Sequence, residues 1–145
     1  MSTDALKKPA ENGLISVARP RLLIVDDDEC VRDALSRFFK LRGFEVDQAR
    51  DGLEAVEKCA RHVYDLVTMD LEMPNMGGRE AIERIRRIHP ALPIIVLTGY
   101  TQLLDDRPIP GISGVLTKPV SLWKIDEEIR KLIPPDVADG PQTQR

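Results

Sequence analysis

The chain has 145 residues, enough for one domain that buries about two-thirds of its unfolded surface. Charged residues make up 31% at a formal net charge of −3, a mixed surface that excludes nucleic acid and membrane as expected partners. No apolar run approaches the ~20 residues that span a bilayer, the N-terminus lacks a signal peptide's apolar stretch, and Cys30 and Cys59 have no paired spacing, so a cytoplasmic protein with reduced thiols is expected.

Residues 1–18 are polar, carry Pro9, Asn12 and Gly13, and are expected to form a flexible N-terminal tail. Arg21–Val25 is an apolar run predicted to be a strand, followed by a helix from Glu29 to Leu41 with Val31, Leu35, Phe38 and Phe39 on one face and Gly43 at its stop. Phe44–Ala49 alternates like an edge strand. Asp51 then caps a helix expected to turn Leu53, Val56 and Ala60 inward. Both cysteines fall within helical patterns and are expected to be buried.

Strand Asp65–Met69 leads into the loop Asp70–Gly78. A helix follows with Ala81, Ile82, Ile85 and Ile88 on one face, then strand Pro93–Leu97. Between Gly99 and Ile112, Pro108, Pro110 and Gly111 forbid a long helix, so Thr101–Asp106 is predicted to make a short or displaced fourth helix. Strand Gly114–Thr117 precedes a last helix from about Ser121 to Ile133, with Leu122, Ile125, Ile129 and Leu132 inward. Pro134-Pro135 ends it, and residues 135–145 are expected to be a flexible C-terminal tail. The alternation predicts an α/β doubly wound (βα)5 domain over residues 19–134, a central five-stranded parallel sheet with a helical layer on each side.

The polar residues follow this pattern. Asp26-Asp27-Asp28, Asp70, Thr98 and Lys118 each sit just past the carboxyl end of an apolar run, the edge where open parallel sheets bind ligands. Clustered carboxylates repel one another unless a cation neutralises them. Hard oxygen donors suit Mg²⁺. With a cation present, Asp70 could attack phosphorus to form an acyl phosphate, and Lys118 and Thr98 could stabilise charge on the phosphoryl oxygens. Asp28, the third acid, is expected to cap the first helix.

The strings LLIVDDDE, DLVTMDLEMPNMGG, LPIIVLTG and GVLTKP, in this order, resemble the receiver domain of two-component response regulators, over about residues 20–133. The resemblance implies a flavodoxin-like three-layer sandwich. It also implies that Asp70 is the phospho-acceptor, charged by a sensor histidine kinase or histidine phosphotransfer protein. It makes Asp27 a direct Mg²⁺ ligand with Asp70, Asp26 a ligand through water, and the Glu72 backbone carbonyl the remaining protein donor. Thr98 becomes the switch hydroxyl, Lys118 its charged partner, and Pro119 the proline of a cis peptide. It further implies a signalling protein rather than an enzyme, acting only on its own phosphoryl group and signalling to a downstream protein target. A single-domain, stand-alone receiver is expected, monomeric or weakly dimeric.

Three features depart from that family pattern. Val115 stands where an aromatic residue often reports phosphorylation, leaving Tyr100 as a substitute. The Thr98–Lys118 segment is short and proline-rich. Glu72 and Tyr100 occupy the variable positions that tune hydrolysis of the phosphoryl group. Trp123, one residue off the inward face of the last helix, is a candidate partner contact alongside Val115 and Tyr100. The alternatives are a receiver from a hybrid histidine kinase and a phosphorylation-independent binding module. A haloacid-dehalogenase-like phosphohydrolase is the remaining one, but it leaves Asp70 and the MPNMGG loop unexplained.

Overall fold

The computed structural model describes residues 19–99 and 108–133. In chain order these form β1 (Arg21–Val25), α1 (Glu29–Leu41), β2 (Glu45–Ala49), α2 (Gly52–Arg61), β3 (Leu66–Met69), α3 (Gly78–Ile88), β4 (Ile94–Thr98), β5 (Gly114–Thr117) and α4 (Leu122–Leu132). The strands pair in parallel in the order β2-β1-β3-β4-β5. The chain starts in the interior of the sheet and winds both ways from it. Tyr100, the proposed helical turn at Thr101–Asp106 and the two expected tails lie outside the described residues.

Alternation along the strands builds two cores. Leu23, Val25, Val67, Met69, Ile94 and Val96 pack on one face of the sheet with Ala55 and Cys59 of α2 and Ala81, Ile82 and Ile85 of α3. Leu22, Ile24, Leu66, Ile95 and Leu97 pack on the other with Leu35 and Phe39 of α1 and Ile125 and Ile129 of α4. Burying each Val, Leu, Ile, Met or Phe of these cores contributes about 1.5–3 kcal/mol. This explains why β1, β3 and β4 are dominated by apolar residues, with Thr68 the one polar residue inside the runs Leu22–Val25, Leu66–Met69 and Ile94–Leu97. The register pairs Val25 with Met69, Met69 with Val96, and Thr98 with Thr117, so neighbouring strands end at nearly the same level. That alignment brings the residues after them to one edge.

Local chemistry fixes the first helix. Asp28 accepts hydrogen bonds from the N–H groups of Cys30 and Val31, as expected for a cap. At the other end Gly43 adopts φ 98°, the Phe44 N–H reaches the Phe39 carbonyl and the Gly43 N–H reaches that of Lys40. The rings of Phe39 and Phe44 meet edge-on at 5.7 Å across this turn. This is a Schellman stop with its apolar contact, and its left-handed residue favours glycine.

Four expectations about burial need correction. The inward face of α2 is Gly52, Ala55 and Cys59, with Val56 beside it, whereas Leu53 and Ala60 are exposed. The reason is close packing on α3, where a Cβ on Gly52 would stand 3.0 Å from that of Ala81, so the face of Gly52, Ala55 and Cys59 turns inward and Leu53 turns outward. Cys30 is exposed because it shares the outer face of α1 with Asp33 and Arg37. Ile88 and Leu132, in the last turns of α3 and α4, are also exposed, because they lie one turn on but off the faces that Ile85 and Ile129 bury. Finally, Gly114–Thr117, read from sequence as an apolar run buried on both faces, is an edge strand whose Val115 and Thr117 face outward, with Val115 39% exposed.

Replacing Asp28 with Ala is expected to lower stability by about 1 kcal/mol in urea unfolding, while Asp28→Ser retains most of it. No loss in the alanine variant would remove Asp28 from the capping role.

Candidate functional site

Asp26, Asp27 and Asp70 converge at the carboxyl edge of β1 and β3. One ligand oxygen from each lies within 4.8 Å of the others, with Asp26 and Asp70 buried and Asp27 exposed. The main chain sets this geometry. The Asp26 N–H donates to Ala49 and the Asp70 N–H to Val25, so each acid continues the ladder of its strand by one residue. Asp26 is further held by the N–H of Asp28, which donates to its Oδ1 at 2.9 Å. The N–H of Glu72 approaches Asp70 Oδ1 at 3.4 Å. Such an acid group, with hard oxygen donors and one member open to solvent, fits a divalent cation of the Mg²⁺ type.

Lys118 reaches the same place from the end of β5. Its ammonium lies 2.7 Å from Asp26 Oδ2 and 3.6 Å from Asp70 Oδ2. The Lys118 N–H donates to the Thr98 carbonyl, and the Lys118–Pro119 peptide is cis. Thr98 ends β4 and is fully buried beside this edge. Burial opposes the charge on Lys118, but the hydrogen bond and charge of Asp26, with the charge of Asp70, outweigh it and hold its pKa above the ordinary value. For Asp70 burial dominates. Together with the neighbouring charge of Asp26, it raises the carboxyl above its usual range even though Lys118 pulls the other way.

The structure thus brings together Asp26, Asp27, Asp70, Thr98 and Lys118, with Glu72 in the loop immediately after Asp70 and its side chain exposed. Val115 and Trp123 stand apart from this group. Trp123 is 63% exposed, meeting the Phe38 ring edge-on at 5.2 Å with the Arg42 guanidinium 4.9 Å from its centroid. Sequence reading missed Arg32, whose Nη1 donates to the Asp26 carbonyl at 2.7 Å while its Nε donates to Gln48 at 3.0 Å. It also missed the bond from Asn75 to Asp51, residues 24 positions apart. A helix-cap pattern flagged Asp51, but no local signal announces its second partner.

Residues 22–130 match the family model described as the response regulator receiver domain. The chain is 36% identical over 130 residues to the response regulator MprA of Mycobacterium leprae, covering 83% of this chain and 55% of that protein. It spans about half the length of such curated relatives. Among solved structures, the response regulator TrrA from Thermotoga maritima in complex with Mg²⁺-BeF is 33% identical at a TM-score of 0.73, covering 78% of this chain and 98% of that one. The CheX–CheY–BeF₃–Mg²⁺ complex from Borrelia burgdorferi gives 30% identity and a TM-score of 0.73, covering 80% and 90%. Among the described residues no helix is long and apolar enough to cross a membrane.

A raised carboxyl at Asp70 makes stability depend on pH. Its folded pKa exceeds the unfolded one, so metal-free folded protein loses stability as pH rises from the ordinary carboxylate value through the raised one. Asp70→Asn is therefore expected to melt at a higher temperature than wild type at pH 7 in chelator. The advantage shrinks as pH falls below the usual carboxylate range, where the wild-type group is protonated folded and unfolded alike. A variant less stable than wild type at pH 7 would contradict this electrostatic account.

Proposed function

The chain belongs to the response regulator receiver family, and from that premise we propose that it accepts a phosphoryl group on Asp70 and signals through that modification. The donor is a phosphohistidine on a sensor histidine kinase or histidine phosphotransfer protein. An Asp70 carboxylate oxygen attacks phosphorus, the P–N bond breaks, and its electron pair returns to the imidazole, leaving an aspartyl phosphate. The receiver unit in this proposal is residues 19–134, working in the cytoplasm.

The observation that carries the reading is the convergence of three carboxylates and one ammonium at the sheet edge. Asp27, Asp70 and the Glu72 carbonyl would hold Mg²⁺ directly, and Asp26 through water. Mg²⁺ bound there supplies positive charge against the acids and the phosphoryl oxygens. Lys118 is poised to offset developing charge, since it already lies within 3.6 Å of Asp70, and the Thr98 hydroxyl is assigned to the same oxygens. Pro119, which follows Lys118, is assigned a structural role at the end of β5.

Readout is proposed to be phosphorylation-dependent binding of a separate protein, or onward transfer to a phosphotransfer protein. The CheX–CheY complex, in which a similar chain is bound to another protein, supports protein binding as such. Val115 and Trp123, both exposed, belong to the proposed partner face together with Tyr100. An aliphatic Val115 has no ring to swing, so the switch rests on Thr98 and Lys118.

Intact mass after treatment with acetyl phosphate and Mg²⁺ tests the proposal, with a phosphohistidine donor as the second arm. Wild type is expected to gain about 80 Da, one phosphoryl group on the carboxylate, and Asp70→Ala to gain nothing. Failure of wild type with both donors would replace the reading with a phosphorylation-independent binding module. Because the Glu72 side chain is exposed beside Asp70, Glu72→Ala is expected to change the rate at which water removes the group. An unchanged decay of phosphorylated protein would free Glu72 of that role.

A further inference from the structure

The loop after Asp70 carries the Glu72 carbonyl, and its shape is set from a different part of the chain. Asn75 lies in this loop with φ 66°, a left-handed conformation that asparagine tolerates better than most residues. Its side-chain Nδ2 donates to Asp51 Oδ2 at 2.7 Å. The other oxygen of Asp51 accepts the Glu54 N–H at 2.8 Å and so caps α2. The Asp51 carboxylate therefore serves both elements at once, and it is only 6% exposed.

Neighbouring contacts reinforce the junction. The Gly52 N–H donates to the Met76 carbonyl at 3.0 Å, the Met76 N–H to Pro74, and the Gly78 N–H to Leu71. A Cβ on Gly52 would stand 2.5 Å from the Met76 carbonyl oxygen, so the two backbones touch. Burial works against an ionised Asp51, yet the Glu54 N–H and the Asn75 amide outweigh it and keep the carboxyl below its ordinary pKa. Asp51 is thus held as a charged acceptor, which strengthens both of its hydrogen bonds.

We propose that Asp51 and Asn75 are a positioning pair that clasps the 70–77 loop to α2 and thereby sets the Glu72 carbonyl for the cation and the phosphoryl group. The proposal rests on the receiver reading of the site. Neither residue touches the reacting atoms; both act through the loop backbone. Partners of this kind, one step removed from a metal, typically change affinity or activity by 10–100-fold when lost.

Three variants separate the hydrogen bond from its surroundings. Asn75→Gly keeps the left-handed backbone and deletes the donor. Asp51→Asn keeps a capping oxygen for Glu54 but turns one amide NH₂ toward another. The exchange Asp51→Asn with Asn75→Asp restores a donor and an acceptor in reversed order, and asparagine remains a good helix cap.

Two readouts apply to the full chain. In metal-free buffer, amide exchange at Met76 and Gly78 is expected to quicken in each single variant by up to about tenfold, the equilibrium factor of one lost hydrogen bond, and to return in the exchanged pair. Mg²⁺ affinity by calorimetry and the rate of phosphorylation by acetyl phosphate are expected to fall about tenfold in each single variant and to recover in the pair. Single variants with wild-type Mg²⁺ affinity and rate would overturn the positioning role even if the loop exchanges faster. Failure of the pair to recover would overturn the assignment to this hydrogen bond. A wild type that neither binds Mg²⁺ nor takes a phosphoryl group would defeat the receiver chemistry itself, an outcome visible before any variant is made.

Discussion

The ammonium of Lys118 stands between two carboxylates that have almost no contact with water, 2.7 Å from Asp26 and 3.6 Å from Asp70. Buried like charges repel strongly, and only a cation makes their proximity tolerable. Lys118 and Asp26 are 92 positions apart in the chain, on strands separated by β3 and β4. The interaction therefore exists only when the whole sheet is assembled in register. It couples the site to the fold: a slip of one residue in any of these strands would turn an acid or the lysine to the wrong side.

The two partners of that interaction are held differently. Asp26 and Asp70 extend strands that, apart from Arg21 at the start of β1, are buried on both faces, and their backbone N–H groups are bonded to neighbouring strands. Lys118 follows β5, an edge strand with one face outward. Elements with fewer buried contacts open at lower free energy than the core. In the proposed chemistry the acids must stay fixed while the lysine changes its partner from carboxylate to phosphoryl oxygen. The rigid acids and the less constrained cation are distributed in accordance with that requirement.

What could be read from sequence follows from how local each cause is. The strands were legible because Leu22–Val25, Leu66–Met69 and Ile94–Leu97 need both faces covered, which writes runs of apolar residues, broken only by Thr68, into the chain. The convergence of the site acids and Lys118 was legible because it depends only on their standing just past the ends of such runs. Asp28 was legible as a cap because its partners are two and three residues away. The inward face of α2 was not, because periodicity favours large apolar residues, and the close approach of α3 selected Gly52, Ala55 and Cys59 instead. Cys30 was misplaced for a related reason: composition says a cysteine is buried, while its angular position beside Asp33 and Arg37 turns it outward. Arg32 and the Asp51–Asn75 pair were invisible because their partners are fixed only after the loops meet.

The charge balance of the site carries a consequence for what it binds. Three carboxylates, Asp26, Asp27 and Asp70, face one ammonium, so full ionisation leaves a formal deficit of two positive charges. A divalent cation cancels that deficit, whereas a monovalent one leaves the carboxylates repelling. The oxygen-only donor set, with Asp27 open to solvent, further favours a hard ion that keeps several waters over a thiophilic metal. The Asp70 carboxyl is raised mainly by burial, with Lys118 opposing the rise and the charge of Asp26 adding to it. Any cation that binds the folded site and not the unfolded chain removes this stress and stabilises the fold by mass action. Folding, metal occupancy and the ionisation of the proposed acceptor are therefore linked through one electrostatic deficit.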